Sequence, residues 1–494
     1  MEKISLKNYR SISDSGEIDI KPLTIAVGRN SAGKSSFVRL FPLLKQTLER
    51  KISDSLLWYG DYVDFGDFQH TVSKQNPNKP IEISFSIMTY SRYYPWLYNG
   101  KNKDAILVKV ELSVKEKYIE KIRITFFDQI VEIVIAEDGY AQISVNNDMR
   151  QFVNMSIKAY RQTGDIIPSL YEEVKNGEHV YLRTLDISDI RTYCINYVYS
   201  NRKEAEYNKN YPDFDLGSKE SILRDLKKMN LAKFENKKIN QKRIIKINNY
   251  IIALNIVNLI ERINTAVLSD MKHTSYLKPI RAMVNRYYRV QGISIDELDA
   301  DGSNLPMILK NMNSKQLRNF ETWSKEKFGV VFSVTPEEGH ISLIIKNDVN
   351  GEIITNVADT GYGYSQMLPI VMLLWMIHSK KNSAFQDKYR TIVIEQPELH
   401  LHPAYQAKMI DVFANIIAEA KQNGIILKII LETHSEAMIN QIGNLIEGNK
   451  LDAEDVNILI FDKVNQQTQI TSKHFNEKGL LVGWPIGFFS TDEG

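Results

Sequence analysis

The chain contains a single cysteine, Cys194, which excludes an intrachain disulfide and a multi-cysteine metal site and fits a reducing compartment. Charge of one sign is missing as well. The 62 lysines and arginines nearly cancel the 60 aspartates and glutamates, leaving a formal charge of +2, so any contact with nucleic acid has to be a local patch. Long hydrophobic runs are also absent: the longest, residues 367–377, falls far short of the ~20 residues needed to span a bilayer. The opening MEKISLKNYRSI lacks the apolar core of a signal peptide. Cytoplasm, with no membrane contact, is the expected location.

What is present is the balance of a folded chain, 43% hydrophobic and 25% charged residues. At roughly 100–200 residues per domain, 494 residues allow two to four domains or one large domain with insertions. The first thirty residues alternate as short strands do and end in a glycine. A helix is expected from Lys34, with Phe37, Leu40, Phe41, Leu44 and Leu48 at helical spacing despite Pro42. From 81 to about 147, β-rich runs separated by polar or glycine-containing turns predict an antiparallel meander. From about 201 to 278 the text turns helical and dense in Lys, Asn and Glu. Residues 227–246 hold seven lysines and one arginine against the single acid Glu235. That run reads either as a solvated helix face or as a contact for phosphates or an acidic partner. Beyond residue 347 the pattern returns to buried strands and helices: a helix from Tyr364, the strand TIVIE, a helix over 403–421 and the strand IILKIILE.

Gly28, Arg29, Asn30, Ser31, Ala32, Gly33, Lys34 and Ser35, running on into Ser36, form two glycines four residues apart followed by lysine and hydroxyl residues, between a strand and a helix. Glycines let successive backbone N–H groups turn toward phosphate oxygens; Lys34 would reach the β and γ phosphates and Ser35 would ligate Mg²⁺. A second piece is the apolar strand ending in Glu395, followed by Gln396, Pro397, Glu398, His400 and His402. An acid at the carboxyl end of a buried strand suits the Mg²⁺ side of a phosphate-loop enzyme, and Glu395 is the candidate. A third is a strand ending in Glu432-Thr433-His434-Ser435, which would bring an imidazole to the same sheet edge. On a continuing strand Glu398, His400 and His402 would also share a face, as metal ligands do. Pro403 opening a helix argues against it.

These three pieces, in this order, resemble the ABC-type ATPases of the SMC/RecF/OLD group. Residues 359–369, Asp-Thr-Gly-Tyr-Gly-Tyr-Ser-Gln-Met-Leu-Pro, look like that group's divergent signature loop; LKNYRSI, the segment from Tyr276 to Arg281 and the ending from Gly483 also match. The implied fold is α/β: a P-loop ABC-type ATPase head with an antiparallel β insertion and an α-helical insertion. Residues 1–200 would be the N-terminal half of the head, with the β insertion at about 81–147, 201–278 the basic helical insertion, and 279–494 the C-terminal half. The resemblance implies ATP and Mg²⁺ as cofactors and a homodimer, or higher homo-oligomer, with ATP sandwiched between heads. Gly363, Ser365 and Gln366 would be signature-loop residues, with Gly363 and Ser365 at the partner's γ phosphate, and His434 the switch histidine. The Q-loop glutamine, at the metal, would be Gln69 or Gln46.

One departure bears on rate. Where the common pattern has a water-polarising glutamate, this chain has Gln396; an amide orients water but does not accept its proton, so hydrolysis should be slow unless Glu398 or His434 substitutes. The stretch after His434 is too short for the Toprim nuclease domain of the OLD enzymes. The resemblance therefore extends to ATPase components of bacterial anti-phage defence systems such as PARIS, Septu and retron systems, with a separate effector chain, a nuclease or a toxin, and a DNA or phage-protein trigger. The alternatives are a RecF-like DNA-repair clamp using the lysine-rich insert, and a nucleotide-binding scaffold with little hydrolysis.

Overall fold

The computed structural model describes residues 1–89, 106–149, 156–173, 179–181, 241–292, 295–379 and 389–484. Cys194, most of the lysine-rich run and the last residues of the tail lie outside the described residues. The chain forms two compact units, one of Met1–Tyr9, Thr47–Trp58 and Phe65–Leu268, the other of Arg10–Gln46, Tyr59–Asp64 and Ser269–Gly494. Among the described residues no helix is long and apolar enough to cross a membrane.

The first unit is an antiparallel sheet in which Lys3–Tyr9 pairs with Ile81–Thr89, followed in meander order by Ile106–Val114, Ile119–Phe126, Gln129–Ile135 and Ala141–Val145. Alternation in its outer strands makes it two-faced. Val108, Val110, Leu112 and Val114 are buried, while Lys109, Glu111, Arg123 and Glu132 stand on the other face. The long helix Gln241–Lys272 meets this sheet through buried amides: Gln129 Nε2 donates to Asn248 Oδ1 (3.2 Å) and Asn146 Nδ2 to Asn249 Oδ1 (2.8 Å). The sheet that sequence reading confined to 81–147 thus begins with the first strand of the chain.

The second unit holds a mostly parallel sheet in the order Thr274–Leu277, Tyr389–Glu395, Ile426–Glu432, Leu23–Gly28, Val456–Val464, Gln467–Lys473, Ile12–Asp14. Its first five strands are parallel, and the three central ones are buried almost end to end, which is why they read as apolar runs without alternation. Helices Pro403–Gln422, Glu436–Glu447 and Tyr362–Ser379 contribute Met409, Phe413, Ile442, Ile370 and Leu374 to one core with Ile25, Ile394 and Ile429. Apolar on all sides, Tyr362–Ser379 is buried from Ser365 to Trp375. The expected helix after the phosphate loop is broken: Lys34–Val38 stops, and Leu40–Glu49 starts one residue later with Pro42 in its first turn, where a missing N–H costs little.

Candidate functional site

The loop after Leu23–Gly28 is shaped by what lies behind it. A Cβ on Gly28 would fall 2.2 Å from the Phe461 carbonyl oxygen, and one on Gly33, at φ +100°, 2.6 Å from Thr468 Oγ1. Thr468 Oγ1 donates to the Ala32 carbonyl at 2.8 Å and lies 2.8 Å from the Ser11 hydroxyl, so the far sheet edge props the loop. Arg29, Asn30 and Ser31 are exposed, Ser31 at φ +62°, and Ser36 is half-buried. Lys34, only 3% exposed, donates from Nζ to the Gly28 (3.0 Å) and Arg29 (2.8 Å) carbonyls. Burial lowers its pKa, opposed by the charges of Glu432 and Glu398. The ammonium is thus docked on the crown of its own loop.

The acids divide differently from expectation. Glu395, 1% exposed, receives Arg39 Nε (2.8 Å) and the Tyr276 hydroxyl (2.6 Å) on Oε1, and Arg39 Nη2 (2.8 Å) on Oε2. That bond raises the Arg39 pKa, and burial followed by the Glu395 charge raises that of Tyr276. The Ser35 hydroxyl instead donates to Glu432 Oε1 at 2.9 Å. Strand order explains this pairing: Ile426–Glu432 lies between the phosphate-loop strand and Tyr389–Glu395, so its terminal acid is the nearer neighbour of Ser35. Glu432 is 2% exposed, its Oε2 has no partner, and burial first, then Glu395, pushes its pKa up to about 7.

Glu398 Oε1 accepts the His434 backbone N–H at 2.7 Å and its Oε2 is buried without a partner. Burial raises the Glu398 pKa. It also lowers that of His434, helped by Lys34, and the His434 Nε2 is buried without a hydrogen-bond partner. Gln396 turns at φ +46° and donates its N–H to the Glu432 carbonyl at 2.7 Å. The strand ends at Glu395, so Glu398, His400 and His402 share no strand face; His402 caps the next helix, its Nδ1 accepting the Ala404 N–H at 3.2 Å.

In the signature-like segment Gly361 and Tyr362 are exposed and Gly363 half-exposed, but Ser365 and Gln366 turn inward, 7% and 5% exposed. Because the helix begins at Tyr362, both fall at the start of its buried stretch. Ser365 Oγ donates to the Tyr362 carbonyl (2.9 Å); Gln366 Oε1 accepts the Arg281 N–H (3.3 Å) and its Nε2 donates to the Arg281 carbonyl (3.4 Å). Arg281, 1% exposed, donates from Nη2 to the Glu395 carbonyl at 3.0 Å; burial lowers its pKa to about 10, and Nε and Nη1 have no partner. The roles of Arg39, Tyr276, Arg281, Glu432 and Thr468 escaped sequence reading, although Tyr276 and Arg281 lie in a segment already singled out. Of the two glutamines, Gln46 is buried, its Oε1 accepting the Tyr62 (3.2 Å) and Val63 (3.0 Å) N–H groups. Gln69 is exposed on the short helix Phe68–Thr71 of the other unit.

The loop that a Cβ would fill, the docked lysine and the bare oxygen of Glu432 fit a nucleotide phosphate with Mg²⁺. A comparison with curated proteins finds no match. Among solved structures, the chain is similar to the Smc head domain with an extended coiled coil bound to the C-terminal domain of ScpA, from Pyrococcus furiosus, at 12% identity and a TM-score of 0.35, covering 95% of each chain. It is also similar to the SMC head domain from Thermotoga maritima, at 10% identity and a TM-score of 0.35, covering 95% of this chain and 97% of that one. At that TM-score the likeness adds nothing to the assignment. The model of the AAA ATPase domain family matches residues 1–439, and the chain belongs to that family.

Proposed function

We propose that this protein binds ATP with Mg²⁺ at residues 28–36 and hydrolyses it slowly, as the ATPase subunit of a bacterial anti-phage defence complex whose effector is a separate nuclease or toxin chain. The observation that carries the ATPase part is the buried Lys34, held on a glycine loop with Glu432 and Glu398 close enough to act on its charge. On nucleotide binding Lys34 exchanges the Gly28 and Arg29 carbonyls for phosphate oxygens, and the exposed N–H groups of the loop hold the rest. Mg²⁺, when bound, neutralises charge on the β and γ phosphates. Gln396 orients the attacking water. Glu398, its pKa raised by burial and its Oε2 bare, takes the proton, and His434 Nε2 contacts the γ phosphate. A homodimer sandwiching ATP across the turn of Gly361, Tyr362 and Gly363 completes the proposal.

Steady-state ATP turnover tests the first part. Lys34→Ala is expected to fall to the rate without enzyme, and Glu398→Gln to lose about a hundredfold or more in kcat. Unimpaired turnover in Lys34→Ala would refute the site. Affinity purification from the native host with ATP and Mg²⁺ tests the second part: a stoichiometric nuclease supports the defence reading, and recovery with DNA alone would favour a clamp.

A further inference from the structure

The two acids that end neighbouring strands, Glu395 and Glu432, are register partners and nearly fully buried, 1% and 2% exposed. Among the described residues only the Arg39 guanidinium bonds to a carboxylate of the pair. Arg39 takes both oxygens of Glu395, and Tyr276 adds a third hydrogen bond, so Glu395 is fully compensated where it stands. Glu432 has a neutral hydroxyl, that of Ser35, on Oε1 and nothing on Oε2. The Lys34 ammonium, the other cation acting on Glu432, bonds instead to loop carbonyls. A buried carboxylate with one bare oxygen is costly unless a cation reaches it. Mg²⁺ in phosphate sites is held by one or two protein oxygens, with phosphate and water filling the rest of its octahedron. Glu432 and the Ser35 hydroxyl, 2.9 Å apart, offer that number of protein oxygens.

We propose that Glu432, together with the Ser35 hydroxyl, is the carboxylate that holds the divalent cation accompanying ATP, while Glu395, the acid that ends the preceding strand, serves as the anchor of Arg39. The inference rests on the ATP-binding reading above and reassigns its metal side. Arg39 follows Ser35 by one helical turn, its N–H donating to the Ser35 carbonyl at 2.9 Å, so the two residues that reach the two acids sit on one short stretch of backbone.

The test is binding of a fluorescent ATP analogue by the full-length protein, first in EDTA and then over a Mg²⁺ titration, with Mn²⁺ binding followed by electron paramagnetic resonance. Glu432→Gln is expected to raise the Mg²⁺ concentration for half-maximal effect by about tenfold or more and to weaken Mn²⁺ binding alike, with nucleotide binding in EDTA retained. If Glu432→Gln does not fold, Glu432→Asp, which withdraws the charge by one methylene, is expected to give a smaller shift in the same direction. A wild-type Mg²⁺ requirement in the Glu432 variants, or a larger shift in Glu395→Gln than in Glu432→Gln, overturns the assignment while leaving the ATPase reading intact. Failure of the unaltered protein to bind the analogue overturns both.

Discussion

At the scale of single residues, the site is governed by how few charges compensate two buried acids, Glu395 and Glu432. Arg39→Ala would strip the buried Glu395 of the half-exposed guanidinium that takes both its oxygens, leaving only the Tyr276 hydroxyl, at a cost of about 1–3 kcal/mol. The expected result is a lowered midpoint in urea denaturation, with Arg39→Lys, a point charge without the planar fork, recovering only part of it. Glu432 gives a pH dependence of defined sign. Its folded carboxyl keeps its proton up to about pH 7, against an ordinary value of 4.5, so its contribution to stability is present at acid pH and is lost as pH rises through about 7. In the nucleotide-free protein, Tm is expected to fall between pH ~5 and ~8 in the wild type, and to fall less in Glu432→Gln. Equal slopes in the two proteins would rule this out. None of these pairings was legible in the sequence. Arg39 and Glu395 lie 356 positions apart, and nothing in the spacing of either motif announces the other.

At the scale of elements, legibility followed burial. The strands Tyr389–Glu395 and Ile426–Glu432 could be read because parallel strands covered on both faces become continuous apolar runs, and the meander because one face of an antiparallel sheet is solvated. The phosphate loop was legible for a different reason: its glycines answer a local steric demand. Gly33→Ala is expected to remove nucleotide binding and to destabilise by about 1–3 kcal/mol, since it places a Cβ against Thr468 Oγ1 at a positive φ. Retained ATP affinity in Gly33→Ala, measured by calorimetry, would show that the loop yields. Alternation could not reveal that Lys3–Tyr9 pairs with Ile81–Thr89, because an unpaired strand edge leaves no mark in its own sequence. Nor could the signature-like text indicate that Ser365 and Gln366 face inward, since the start of the helix at Tyr362 fixes which residues its core takes.

At the scale of the whole molecule, the family assignment over residues 1–439 makes this an AAA ATPase domain protein, and its assembly is the next quantity to measure. With a slowly hydrolysed ATP analogue and Mg²⁺, light scattering is expected to report a dimer of the 57.0 kDa chain, and Lys34→Ala is expected to stay monomeric under the same conditions. A nucleotide-independent mass would count against an ATP-sandwiched dimer. The phosphate-loop motif, the two acid-ending strands and the α/β class are legible segment by segment, because glycine sterics, residue types and hydrophobic period are local properties. Which acid meets Ser35, which arginine neutralises its neighbour and which threonine props the loop emerge only once the chain is folded. Those choices depend on strand order, and strand order is set by packing among segments hundreds of residues apart.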